Sequence, residues 1–146
     1  MGVFLGAGLQ RWDGWVPTDR EQLDLRDPSS FAAWFGPRRA SALLCEHVWE
    51  HLTIEEGRAA AALCFGHLEP GGLLRVAVPD GYFPDADYLR NVQPGGPGPG
   101  DAPAADPKVL YTAVTLGPHF TPAGFHIGLG SACDAEGTAH PERRDL

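Results

Sequence analysis

The fold is decided by residues 3–8, which read VFLGAG. Three apolar residues followed at once by two glycines in three positions are typical of a short buried strand that ends in a tight turn. Glycine lets the main chain turn sharply and lets a flat ligand approach it without a Cβ in the way. Leu5, Gly6, Ala7 and Gly8 are therefore a candidate ligand-binding turn, and a purely structural turn is the alternative.

A helix between two apolar strands follows in the middle of the chain. Residues 40–45 are an apolar run of strand length, and residues 73–79 are a second one. Thr53 and Glu56 have the spacing of a capping box, which predicts a helix that continues over residues 58–67. Parallel strands need a crossover connection of this kind. The sequence therefore predicts an α/β fold with a mostly parallel sheet and flanking helices.

The remaining segments predict shorter elements. Residues 15–19 favour an extended piece, and residues 29–35 favour a brief helix capped by Ser29 or Ser30. Residues 109–116 fit a helix or a strand, and residues 125–129 favour a last strand. We expect a charged turn over residues 46–52.

Two segments are poor in core-forming residues. Residues 94–107 are dominated by Gly, Pro, Ala and Asp, which predicts a mobile loop, and residues 134–146 read as a polar tail. No internal repeat divides the chain. We therefore expect a single domain over residues 1–146.

Composition argues against several classes of protein. The 146 residues carry a net charge of −8, which argues against a nucleic-acid groove lined by Lys and Arg. The three cysteines are widely spaced and odd in number, which is typical of reduced thiols in a cytoplasmic protein. No apolar run has the roughly 18 residues that a membrane span needs. We expect a soluble protein, and the sequence leaves a homodimer open.

Asp19 lies at the end of the extended segment that follows the glycine turn. In open α/β sheets, ligands bind beyond the carboxyl ends of the strands, where this carboxylate is expected. A carboxylate there can accept hydrogen bonds from both hydroxyls of a ribose. Asp19 is therefore a candidate for nucleoside binding, and a solvated turn residue is the alternative.

The order of these segments resembles class I S-adenosylmethionine-dependent methyltransferases, in particular the small methyltransferase-like proteins of bacteria. The resemblance is carried by residues 3–8, 14–19, 23–26, 46–52, 68–80, 108–111 and 123–125. It implies a Rossmann-like fold in a shortened version of the class I architecture. It also implies transfer of a methyl group from S-adenosylmethionine to an unidentified acceptor, either a small molecule or a macromolecule.

The resemblance also implies roles for particular residues. Gly6 and Gly8 would pass under the methionine part of the cofactor, and Asp19 would hold the ribose. The other cofactor-binding candidates are Asp24 and Leu25 beside the adenine, and Glu46 and His47 near the sulfonium.

Three residues are candidates for proton removal from the acceptor: His47, His51 and Asp80. Methyl transfer is an in-line displacement, so most of the acceleration comes from holding the acceptor against the methyl group. An oxygen or nitrogen acceptor can still need a general base, and a histidine or carboxylate serves that role.

Residues 47–51 also match the His-x-x-Glu-His pattern of one class of zinc proteases. That pattern needs a helix, whereas residues 40–45 predict a strand that leads into a turn. No third ligand is evident downstream, so we predict no metal.

Two other functions remain open. One is a catalytically inactive methyltransferase-like module that binds a cofactor or a partner. The other is a nicotinamide-dependent oxidoreductase, which is weakened because residues 6–11 lack the third glycine of the dinucleotide-binding pattern.

Overall fold

The computed structural model describes residues 1–97 and 107–140 and shows an α/β fold built on a four-stranded parallel sheet. The strands of this sheet are β1 (Gly2–Leu5), β2 (Trp15–Pro17), β3 (Ala40–Glu46) and β4 (Leu68–Ala77), in the spatial order β2-β1-β3-β4. A separate antiparallel pair is formed by β5 (Ala132–Cys133) and β6 (Ala139–His140). The helices are α1 (Pro28–Phe35), α2 (Ile54–Gly66), α3 (Ala86–Val92) and α4 (Ala113–Leu116), with 3-10 turns at Trp49–His51, Gly117–His119 and Thr121–Ala123.

The central strands explain why residues 3–8 decide the fold. β1 pairs with β2 on one side and with β3 on the other, both in parallel. Val3, Phe4 and Leu5 are each at most 1% exposed. A strand covered on both faces reads as a continuous apolar run, as this one does. The predicted α/β fold and parallel sheet are confirmed.

The two faces of the sheet are covered unequally. On one face the strands pack against both long helices, in a core that includes Val3, Leu5, Leu43 and Cys45 of the sheet, Phe31 and Phe35 of α1, and Ala60, Ala61 and Cys64 of α2. On the other face, Phe4, Ala7 and Leu44 form a smaller cluster with Trp15, to which no helix of the described residues contributes. The connection from β2 to β3 through α1 and the connection from β3 to β4 through α2 run in the same direction across the sheet. Right-handed crossover connections that run in the same direction place their helices on the same face of the sheet.

Helix starts were predicted with mixed success. Thr53 and Glu56 form the predicted capping box, with the Glu56 amide donating to Thr53 Oγ1 at 3.1 Å. The predicted cap of α1 was wrong: Asp27 is the N-cap, and its Oδ1 accepts from the Ser29 amide at 3.0 Å. The sequence pattern did not predict α3, which Asp85 caps by accepting from the amides of residues 87 and 88.

The last strands differ from prediction. β4 begins at Leu68, and residues 69–72 form an irregularity before the regular pairing of Ala42 with Leu73. The predicted strand over residues 125–129 is wrong, since this segment is irregular. The predicted polar tail contains the turn that leads to β6. The rest of that tail, residues 141–146, and most of the predicted mobile loop, residues 98–106, lie outside the described residues.

Candidate functional site

The glycine turn, residues 6–8, lies beside the residue that ends the β2 segment. The Thr18 amide donates to the Phe4 carbonyl at 2.8 Å, and the Ala7 amide donates to the Thr18 carbonyl at 2.9 Å. These bonds continue the parallel pairing beyond β1. The Gly8 amide then donates to Oδ1 of Asp19 at 3.0 Å. The structure therefore brings together the turn and the carboxylate that the sequence predicted as one site.

The two glycines of the turn differ in their surroundings. Both have a positive φ, 62° at Gly6 and 57° at Gly8. A Cβ on Gly6 would lie 2.5 Å from Cγ2 of Val48, whereas a Cβ on Gly8 would meet nothing within 4 Å. The main chain at Gly8 is therefore open to a ligand, and the close approach at Gly6 is already made by Val48. The side chains of Leu5 and Ala7 are buried on opposite faces of the sheet.

The residues predicted beside the adenine are engaged with the chain itself. Oδ1 of Asp24 accepts from the amide of Arg26 at 2.9 Å and from its Nε at 3.2 Å, and Arg20 Nε lies 3.8 Å from Oδ2. Burial opposes ionisation of Asp24, but the hydrogen bonds from Arg26 and the charges of both arginines outweigh it and lower the pKa of this carboxyl. Leu25 is 6% exposed and belongs to the main core.

The histidine turn, residues 47–51, follows β3, next to the glycine turn. Glu46 pairs in register with Ala77 of β4, and the His47 amide donates to the Ala77 carbonyl at 2.8 Å. His47 has a φ of 54°, and within residues 1–97 and 107–140 it is the one non-glycine residue with a positive φ. Such a conformation is costly for a residue with a Cβ and is concentrated at functional sites.

Glu50 lies between the two histidines of this turn. Its Oε1 is 3.6 Å from Nε2 of His51 and 3.9 Å from Nδ1 of His47. Glu50 is 4% exposed, and its burial raises the pKa of the carboxyl above the usual value of 4.5. The backbone amide of Glu50 and the two histidines oppose this shift only in part. His47 and His51, two of the three predicted base candidates, therefore both lie beside the buried carboxyl group of Glu50.

Asp80, the third predicted base candidate, is bound by the backbone. Its Oδ1 accepts from the Tyr82 amide at 2.9 Å, and its Oδ2 accepts from the Cys133 amide at 2.6 Å. Asp80 also forms a parallel bridge with Tyr111. Oδ2 thus attaches the β5–β6 hairpin to the segment that follows β4, and Oδ1 closes a local turn in that segment.

Sequence reasoning missed a group of buried polar side chains behind the histidine turn. Four atoms are buried without a hydrogen-bond partner in the described part of the chain: Trp49 Nε1, Glu50 Oε2, Tyr111 OH and His119 Nδ1. Burial, with the charge of Arg58, lowers the pKa of His119 and favours its neutral form. A Cβ on Gly57 would lie 3.0 Å from Trp49 Nε1 and 3.5 Å from His119 Nδ1.

One signal for this group was present in the sequence. Gly57 stands in the first half of an alanine-rich helix, where alanine would be favoured by about 1 kcal/mol. A glycine at such a position indicates that another part of the chain packs close to the helix backbone. The sequence did not indicate that the partner is Trp49.

A cavity lies along β4, away from the glycine turn. It has a volume of about 420 Å³ and is lined by residues that include Leu73, Val76, Val78, Phe125, Ile127 and Leu129. Asp80 and Tyr111 also line it. Its size is within the range of small-molecule sites, and its lining is mainly apolar. The sequence did not predict this cavity, because residues 125–129, which belong to its lining, are predicted to form a strand.

Two features are absent from the part of the chain that the structure describes. Within residues 1–97 and 107–140, no three His, Cys, Asp or Glu side chains are grouped so as to hold a metal ion. In the same ranges, no helix is both long enough and apolar enough to cross a bilayer.

Comparisons with models of protein families, with curated proteins and with solved structures find no match for this chain.

Proposed function

We propose that this chain is a shortened, Rossmann-like class I methyltransferase that binds S-adenosylmethionine beside the glycine turn. The observation that carries the proposal is the 3.0 Å bond from the Gly8 amide to Asp19. It joins a bare glycine backbone and a carboxylate at the carboxyl ends of two adjacent parallel strands, β1 and β2. Ligands of open α/β sheets bind at this edge.

The residues at this edge fit a nucleoside cofactor. Asp19 Oδ2 accepts no hydrogen bond from the described residues, so it is available to a ribose hydroxyl. Gly8 leaves its main chain open, and the half-buried Glu46 lies at the end of the neighbouring strand. S-adenosylmethionine, when bound, supplies an activated methyl group. The chain's own residues orient the acceptor and remove its proton, which are the roles that positioned side chains perform.

The test is a set of thermal titrations with S-adenosylmethionine, S-adenosylhomocysteine and NAD. A ligand that binds the folded state alone raises the Tm by mass action. We expect both sulfur compounds to raise the Tm and NAD to leave it unchanged. No shift with either sulfur compound would overturn the proposal, and a shift with NAD alone would favour the oxidoreductase.

Substitutions at Asp19 locate the site. Asp19→Asn keeps an oxygen that can accept from the Gly8 amide, but its amide nitrogen cannot accept from a ribose hydroxyl. We expect this variant to keep its Tm without ligand and to lose most of the ligand-induced shift. Asp13→Ala, at an exposed position of the loop before β2, is the matched control and should keep the full shift.

A second candidate is the inactive module that binds a cofactor or a partner. It is favoured by the apolar cavity along β4, because no residue of the glycine turn lines this cavity. A partner or ligand bound there would not be held beside the glycine turn. Cofactor binding with no transfer to small-molecule, peptide or nucleic-acid acceptors would support this candidate. Transfer to any acceptor would exclude it.

A further inference from the structure

Glu50 is held in the protein interior by its neighbours on both sides. Trp49 is fully buried, and Leu52 is 4% exposed. The Glu50 carbonyl accepts from the amides of Lys108 at 2.7 Å and Val109 at 3.2 Å, which fixes the turn against a distant part of the chain. The side chain itself is 5% exposed. A carboxylate at such a position needs compensating partners, because an isolated buried charge is costly.

Two histidines lie within ion-pair distance of this carboxylate, and both approach the same oxygen. Oε1 is 3.6 Å from His51 Nε2 and 3.9 Å from His47 Nδ1, and Oε2 has no hydrogen-bond partner in the part of the chain that the structure describes. The arrangement thus places one carboxyl oxygen of Glu50 against one defined nitrogen of each ring. Which of the two ring nitrogens carries the proton in a neutral imidazole depends on the partner beside each nitrogen.

His47 is presented to solvent by an unfavourable backbone conformation. Its φ is 54°, and its amide is bonded to the Ala77 carbonyl, so the pairing of β3 with β4 maintains this conformation. Its side chain is 60% exposed. Nδ1 is the ring nitrogen that approaches Glu50, and the other ring nitrogen, Nε2, does not take part in this contact. Backbone conformations of this kind cost of order 1–3 kcal/mol and persist only when the surrounding structure imposes them.

The histidine turn is also next to the proposed cofactor site. Val48, the following residue, has its Cγ2 only 2.5 Å from the Cβ position of Gly6. The histidine turn and the glycine turn are therefore in direct contact at the carboxyl edge of the sheet. An acceptor held beside the glycine turn would have His47 within its surroundings.

We propose that Glu50 is a positioning residue that keeps the proton of neutral His47 on Nδ1 and leaves Nε2 free to act as the base. This inference rests on the proposed function. In the reaction, the acceptor gives its proton to His47 Nε2 and its electron pair to the methyl carbon. The electron pair of the broken carbon–sulfur bond stays on sulfur. The imidazolium that forms is stabilised by the Glu50 carboxylate, as in other pairs of histidine and carboxylate.

The test is the proton position on His47, measured by ¹⁵N NMR of the imidazole in alkaline buffer, where histidines are neutral. The His47 signals are assigned by their loss in His47→Gln. We expect the Nδ1-protonated form in the wild type and a shift towards the Nε2-protonated form in Glu50→Gln. Glu55→Gln, at an exposed position in the first turn of α2, is the matched control and should resemble the wild type.

Three outcomes separate this inference from its alternatives. A wild-type His47 protonated on Nε2 would overturn it without any substitution, so the test does not depend on the folding of Glu50→Gln. An unchanged proton position in Glu50→Gln would also overturn it. Because the measurement needs no cofactor, a failure to bind S-adenosylmethionine contradicts the proposed function and leaves the proton assignment intact. Glu50→Gln should keep the full ligand-induced Tm shift, and Glu50→Asp should restore the wild-type proton position in part.

Discussion

The glycine turn and the histidine turn follow neighbouring strands, but their local chemistry differs. In the glycine turn, the residues with positive φ are glycines, and Asp19 accepts a hydrogen bond from the Gly8 backbone. In the histidine turn, the residue with positive φ is His47, and the buried Glu50 has an oxygen without a partner among the described residues. The backbone of the glycine turn suits its residues, because glycine readily adopts a positive φ. The positive φ of His47 and the burial of Glu50 have to be maintained by contacts with the rest of the fold.

This difference indicates where function is concentrated. Local conformational preference, hydrophobic pattern and packing usually favour the same structure, and the positions where they conflict are enriched in functional sites. The glycine turn has the features of a preformed binding surface. The histidine turn contains strain and a buried charge, which the surrounding structure must offset. We therefore expect ligand binding to depend on the first turn and proton transfer to depend on the second.

The largest expected effect comes from removing the support of the histidine turn. Trp49 is fully buried and packs against Gly57 of α2 and the ring of Phe120, at a centroid distance of 5.0 Å. Trp49→Ala should lower the free energy of unfolding by about 3–5 kcal/mol, the usual cost of deleting a buried aromatic side chain. Urea denaturation followed by circular dichroism measures it.

Trp12→Ala is the matched control, in the loop that follows the glycine turn. Trp12 is 56% exposed. Its replacement should change the free energy of unfolding by no more than about 0.5 kcal/mol, as is usual for surface positions. Similar costs for the two substitutions would contradict the view that Trp49 holds the histidine turn against the core.

The elements that could be predicted from sequence are those whose signal is local. The strand over residues 3–5, the capping box at Thr53 and the proximity of Asp19 to the glycine turn follow from short patterns, and the structure contains all three. The failures concern long-range contacts. Nothing near residues 125–129 indicates that this apolar run stays unpaired, because pairing depends on whether another strand offers its edge.

The same reason explains what was missed at the site. Glu50 lies among charged and polar neighbours in the sequence, which predicts a solvated turn. In the structure the side chain is buried, and the Glu50 carbonyl accepts from the amides of Lys108 and Val109, far along the chain. The tight contact between Val48 and Gly6 is likewise a contact between two turns. Tertiary contacts of this kind have no local signature.

An intermediate effect is expected where the two turns meet. Gly8→Ala should cost about 1–2 kcal/mol, because a Cβ is unfavourable at a φ of 57° but meets no other atom. Gly6→Ala should cost a further 1–3 kcal/mol or so, because its Cβ would also overlap Val48 Cγ2. The free energies of unfolding from urea denaturation give the comparison.

A double-mutant cycle isolates that overlap. In the Val48→Ala background, Gly6→Ala should be less destabilising than in the wild type, since the overlapping methyl group is gone. Residues in contact commonly show coupling of about 0.5–3 kcal/mol. The cost of Gly8→Ala should be the same in both backgrounds. Equal costs of Gly6→Ala with and without Val48 would mean that the two turns are not coupled through this contact.

The smallest expected effect is in the pH dependence of stability, and its sign differs between Glu50 of the histidine turn and Asp24, which precedes α1. The pKa of Glu50 is raised from 4.5 by burial, so its contribution is fully present below 4.5 and is lost as the pH rises through the folded-state value. Burial also disfavours ionisation of Asp24, but the bonds and charges of Arg26 and Arg20 lower its pKa below 3.8. Its contribution is present above 3.8 and is lost as the pH falls.

Glu50→Gln and Asp24→Asn remove these contributions and serve as matched variants. The free energy of unfolding of the wild type, minus that of Glu50→Gln, should fall as the pH rises from acidic to neutral. The corresponding difference for Asp24→Asn should rise over the acidic range. Each slope is limited to about 1.4 kcal/mol per pH unit, the value for one proton. Slopes of the same sign would show that the burial of Glu50 is compensated as fully as that of Asp24.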